Sequence, residues 1–177
     1  MRRLLLAALV MVLMEAAIGS PPARAADDAS GGSFVGACLL AAANLYQLPP
    51  GVLVILLNVE AGSLGKVSQN ANKTVDIGPM QVNDSWIGKI AAHWRASAEA
   101  TFYALRDNFC ANIEGGAWIL RQAIDEAHGD FWEGVALYHS HTEKYKTDYL
   151  QKVLAHAIRL SRQAAAEMAE SNAMDGR

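Results

Sequence analysis

The residue best placed to move a proton is Glu60, which ends the apolar run Val52–Val59. A lone carboxyl at the end of such a segment is poorly solvated when charged, so its pKa rises. The C-terminal end of a helix and the distance from any cation would push it the same way. A carboxyl that keeps its proton near neutral pH is the general acid that glycosidic-bond cleavage requires. Sixteen residues later the chain reads Asp76-Ile77-Gly78-Pro79-Met80-Gln81-Val82-Asn83. This block supplies amides, a second carboxylate and a turn-forming backbone of the kind that grips a sugar.

The elements that must position these groups are readable from spacing. Leu53, Leu56, Leu57 and Glu60 follow the i, i+3, i+4, i+7 pattern, so Glu60 shares a helix face with three leucines. Val52–Val59 is apolar nearly all round and predicts a core helix, with Pro49 and Pro50 at its start. Ser33 can cap a helix from Phe34 to about Tyr46, and residues 65–74 are a polar loop. Residues 75–83 are ambiguous between strand and turn. Asn83 or Asp84 can cap a segment reaching Trp94, and Ser97 another from Ala98 to Arg106. Asn108 opens a longer helix that stops before Gly129, and its glycine pair would let a second helix approach closely. Asp130 caps a short helix through Tyr138. A terminal helix runs from Glu143 to about Glu170, with Tyr145, Tyr149, Val153 and Ile158 among its apolar positions. The expectation is a mainly α single domain with a small irregular β or turn element.

Composition narrows the function class. Arg2 and Arg3 precede the uninterrupted apolar run Leu4–Met14, and Ala23-Arg24-Ala25 has the small-x-small form of an export cleavage site. We read residues 1–25 as a signal peptide, 26–32 as a flexible lead-in, 33–170 as the folded domain and 171–177 as a disordered tail. The run is shorter than the roughly 20 residues of a membrane span, and no later run is longer. The expected location is therefore the periplasm, with no stable span after processing. The formal charge of −3 becomes about −5 once the leader is removed, a poor match to nucleic acid. The two cysteines, Cys38 and Cys110, predict one disulfide in an oxidising compartment. It would close a loop of about 70 residues, contributing very roughly 4 kcal/mol in the chain-entropy view.

Taken together, Glu60, the 76–83 block, Cys110-Ala111-Asn112-Ile113 with Gly116 and Ala117, and Val135-Ala136-Leu137-Tyr138 resemble the catalytic region of soluble lytic transglycosylases. These are lysozyme-like enzymes, and the likeness points to the small subgroup associated with type IV secretion and conjugation. It covers Cys38 to about Tyr149. The resemblance implies a lysozyme-like fold, peptidoglycan glycan strands as substrate, components of a secretion or conjugation apparatus as candidate partners, and no cofactor. It implies Glu60 as catalytic acid/base, Met80 and Gln81 lining the sugar groove, and Tyr138 hydrogen-bonding or positioning the carboxyl. Three positions depart from the usual pattern: Ala61 for Ser after the acid, Pro79 for Leu, and His139 for Asn after the aromatic.

Other residues carry open readings. The Thr74–Gly78 run is also similar to the segment of animal-type lysozymes that holds a second carboxylate, so Asp76 could stabilise a sugar cation or act as nucleophile. The favoured reading is that Asp76 accepts hydrogen bonds in a turn. Asn70, Asn72 and Asn83 could bind N-acetyl or hydroxyl groups, or equally serve as loop and cap residues. Trp86, Trp94, Trp118 and Trp132 could stack on sugars, but at helical spacing aromatics more often fill a core. His139 and His141 lack a third ligand and predict no metal site, although either could border the groove. Three functions remain in play. They are a transglycosylase using Glu60 alone, a hydrolytic muramidase using Glu60 with Asp76, and a non-catalytic glycan-binding or scaffold subunit. The last would be favoured by an exposed or salt-bridged Glu60.

Overall fold

The computed structural model describes residues 23–175. Apart from its last three residues, the leader expected over 1–25 lies outside them. Helix α1 spans Ala23–Leu45 and α2 spans Pro50–Glu60. Strands β1 (Val67–Gln69), β2 (Val75–Ile77) and β3 (Val82–Asn83) form a small antiparallel sheet in that order. A single 3-10 turn over Asp84–Trp86 leads into α3 (Ile87–Trp94), followed by α4 (Ala98–Asp107), α5 (Phe109–Glu126), α6 (Phe131–His139) and α7 (Glu143–Asp175). This is the mainly α domain that the spacing predicts, with the lysozyme-like fold that the resemblance implies.

Local chemistry explains most boundaries. The side chains of Ser97, Asn108 and Asp130 accept from the backbone N–H groups of Ala100, Ala111 and Glu133, capping α4, α5 and α6. Pro50 opens α2, and Ala61 ends it in the left-handed region at φ 48°. Gly129, at φ +89°, donates to the Ile124 carbonyl and closes α5.

Three boundaries differ from the expectation. The backbone is helical from Ala23, so the 26–32 segment is helix and Ser33 lies inside α1 instead of capping it. No proline interrupts the chain between Pro22 and Pro49, and the alanine-rich stretch outweighs Gly31 and Gly32. Helix α7 continues through 171–175 to Asp175, because nothing in the Ala-, Glu- and Met-rich sequence stops it before Gly176. Within α7, Tyr149 and Val153 are buried while Tyr145 and Ile158 are exposed, so only one turn of the expected stripe meets the core. Strand β1 sits inside the expected loop. All its residues are exposed, and it is held by backbone pairing alone, with Ser68 opposite Asp76.

The core gathers Leu53 and Leu56 of α2, Ile77, Met80 and Val82 around the sheet, Ile113 and Leu120 of α5, Val135 of α6 and Tyr149 of α7. Burying each large aliphatic side chain is worth about 1.5–3 kcal/mol. Three glycines make close approaches possible. A Cβ on Gly134 would collide with Ile124, so α6 lies tightly on α5. The expected glycine pair is used differently at its two members: Gly115 admits Leu105 of α4, but Gly116 admits the Met80 side chain. The disulfide Cys38–Cys110 ties α1 to α5, with Cα atoms 5.0 Å apart.

Candidate active site

A groove opens between the sheet, the C-terminal end of α2 and the C-terminal end of α6. Glu60, Asp76, Gln81 and Asn83 line it together with Trp86 and His139. Glu60 arrives there because α2 buries Leu53 and Leu56 completely, which turns the last residue of that face toward the sheet. Immediately after it, Gly62 donates to the Pro79 carbonyl at 3.2 Å. A side chain on Gly62 would strike the Gly78 carbonyl and the Gln81 amide. The turn over 78–81 can therefore press against the chain leaving Glu60.

That turn is fixed from below by Asn112 of α5, which is fully buried. Its Nδ2 donates to the carbonyls of Ile77 and Leu105, both at 2.9 Å, and its Oδ1 accepts from the Met80 N–H at 2.7 Å. Gly78, at φ +67°, leaves the space that the Asn112 amide occupies. Gln81 takes a left-handed φ of 47° and folds its amide back to donate to the Gly78 carbonyl at 2.9 Å. A non-glycine residue in this region is a strained arrangement of the kind found at functional sites.

Glu60 is largely enclosed, and its carboxyl pKa is pushed up to about 7. Burial is the main cause, and the negative charge of Asp76 adds to it. Two groups oppose the rise: a hydrogen bond from Tyr149, then the charge of Lys152. The expected distance from cations therefore does not hold, since α7 brings Lys152 near. Among the described residues, Glu60 forms no salt bridge.

The hydroxyl that addresses Glu60 belongs to Tyr149, which donates to Oε1 at 2.5 Å. Tyr138, expected in that role, instead donates to the Met80 carbonyl at 3.0 Å and braces the turn. The reason is packing. Helix α7 lies against both α2 and α6, so the buried Tyr149 reaches between them, while Tyr138 points at the loop below. Both phenols have raised pKa values, chiefly through burial and then through the charge of Glu60. Neither serves as a base near neutral pH.

The remaining candidates separate clearly. Asp76, on β2, faces the groove and accepts from Asn83 Nδ2 at 2.8 Å. Asn83 also donates to Thr74 Oγ1 and accepts from Ser85 N–H, so it caps and ties the sheet. Asn70 reaches the groove wall while donating to Thr74 Oγ1 at 3.1 Å. Met80 has no exposed surface and lies beneath the groove as core. His139 lies flat on the Tyr149 ring, and both it and His141 border the groove, His141 while bonded to Glu126. Of the tryptophans, Trp86 lines the groove, with Trp118 packed edge-on behind it at 6.0 Å.

Sequence reasoning missed the roles of Asn112 and Tyr149. Asn112 lay inside a motif but had no assignment. A tyrosine on an apolar stripe was a usable signal, because a buried phenol needs a hydrogen-bond partner. No curated protein matches the chain in a sequence comparison. The family model described as the Transglycosylase SLT domain matches residues 37–154, a span that holds Glu60, the sheet, Asn112, Tyr138 and Tyr149. The match covers more than half of the 177 residues, and the chain belongs to the SLT transglycosylase family.

Proposed function

We propose that this protein is a peptidoglycan lytic transglycosylase that cleaves the MurNAc–GlcNAc β-1,4 bond and leaves a 1,6-anhydroMurNAc end. The observation that carries the reading is Glu60: enclosed, protonated up to about pH 7, and facing a groove lined with amides. Family membership supports peptidoglycan as the substrate.

In the first step Glu60 donates its proton to the bridging oxygen as the bond from that oxygen to C1 of MurNAc breaks. The departing GlcNAc keeps the proton on O4. Charge developing at C1 is stabilised by the substrate's own N-acetyl group and by the groove. In the second step the Glu60 carboxylate takes the proton of the MurNAc C6 hydroxyl, whose oxygen bonds to C1. The carboxyl ends the cycle as it began, so one acid suffices.

A hydrolytic route is the second reading, favoured by one observation: Asp76 faces the same groove, and its charge is felt by Glu60. The two routes differ by one water in the product. Mass spectrometry of fragments released from purified sacculi decides between them: anhydro ends support transglycosylation, and reducing ends overturn it. A scaffold role would gain from an exposed or salt-bridged Glu60, and among the described residues Glu60 is neither. We further propose export to the periplasm, on the strength of the basic and apolar residues at the start of the chain. Local opening of the wall for a secretion or conjugation machine fits the resemblance noted above.

A further inference from the structure

Tyr149 is almost fully buried, at 2% exposure, and its hydroxyl donates to Glu60 Oε1. Its ring is covered by the exposed imidazole of His139, the last residue of α6. The ring centroids are 4.4 Å apart and the planes 3° from parallel. The phenol oxygen lies on the axis of the ring's last torsion, but its O–H bond prefers the ring plane, so the tilt of the ring sets where the hydrogen points. We propose that His139 is a positioning residue, whose ring lies flat on Tyr149 and holds the phenol hydroxyl aimed at the Glu60 carboxyl. The proposal rests on the reading of Glu60 as the acid/base.

Polar and charged groups face the imidazole from three elements. Tyr149 and Lys152 face it from α7 and Asp76 from β2, with Glu60 of α2 beyond the phenol. Tyr138 adjoins it on α6, and His141 is engaged with Glu126. Burial and Lys152 hold the His139 pKa below its usual value, with Asp76 opposing. Removing the ring would let Tyr149 tilt and weaken its hydrogen bond to Glu60; because that bond favours the charged carboxylate, the proton would then be held more tightly.

The test is a double-mutant cycle with His139→Ala and Tyr149→Phe, read as kcat, KM and pH profile on solubilised glycan strands. His139→Ala should lower kcat about tenfold, leave KM within about twofold, and move the basic limb of the profile to higher pH. His139→Phe keeps a flat ring and should restore both kcat and the limb. In the Tyr149→Phe background, His139→Ala should add no further loss. If His139→Ala fails to fold by thermal melt, His139→Leu supplies bulk without a plane and should show the same defects. Wild-type kcat in the Ala or Leu variant, a defect in KM alone, additive losses, or a Phe variant as impaired as Ala would each overturn the proposal. Glu60→Gln in the same assay separates the two levels. If it still turns over, the reading of Glu60 fails; if it is inactive while His139→Ala is normal, only the positioning role fails.

Discussion

Glu60 is kept protonated by the enclosure that the fold imposes on it, and that enclosure acts on stability as well as on chemistry. Its folded-state pKa of about 7 lies above the ordinary 4.5, so the folded protein holds this proton more tightly than the unfolded chain. As pH rises from about 4.5 through 7, the unfolded chain releases the proton first, and the folded state loses stability over that window. The loss approaches an order of 3 kcal/mol once both forms are ionised. Glu60→Gln removes it. We therefore expect the Gln variant to melt higher than wild type at pH 8 and no higher at pH 4, as measured by calorimetry at both values. In activity the sign reverses: Gln holds the shape and accepts from Tyr149 but has no transferable proton. Turnover on sacculi should fall by roughly two orders of magnitude or more. For the wild-type enzyme, turnover should decline as pH rises through about 7, where the acid form is lost. Asp76→Asn can still accept from Asn83, so the turn survives. Its turnover should fall much less than that of Glu60→Gln, and a loss of equal size would favour the hydrolytic route.

Among the elements, the 77–81 turn depends on a single side chain from α5. Asn112 is fully buried and bonds two carbonyls and one N–H around this turn. Leaving each unpaired costs about 1–3 kcal/mol. Asn112→Ala should therefore lower stability by about 3 kcal/mol or more in urea titration, and an unchanged midpoint would remove this residue from the account. Helix ends were legible in the sequence because capping is local: Ser97, Asn108 and Asp130 each lie next to the backbone they satisfy. The face of α2 was legible from leucine spacing. Strand β1 was not, since all three of its residues are exposed and no apolar alternation marks it. The partner of Glu60 was also hidden. Tyr149 lies 89 positions away, and only the packing of α7 across α2 and α6 brings the two together. Tyr138 had the better motif, but its hydroxyl serves the turn.

Over the whole molecule, the active groove and the disulfide occupy different places. The groove draws on α2, the sheet, α6 and, through Tyr149, α7. Cys38 and Cys110 join α1 to the start of α5, and neither lines the groove. The bridge spans 72 positions of chain, so it restricts the unfolded ensemble far more than it shapes the site. A loop of that size is worth about 4 kcal/mol in the chain-entropy view. For a domain of this length, that corresponds to a fall in Tm of about 8–16 °C. Replacing both cysteines by serine should therefore lower the melting temperature by an amount in that range. Well below the new transition, kcat should stay within about twofold of wild type, because the hydrogen bonds that hold Glu60 and the 77–81 turn do not pass through α1. The comparison requires thermal melts and turnover on the same samples, with thiol titration confirming that the native, non-reduced protein has none free. A double-serine protein that melts like wild type would show that the bridge contributes nothing to stability. One that is fully folded at 25 °C but has lost turnover would show that α1 reaches the groove by a route that the packing does not reveal.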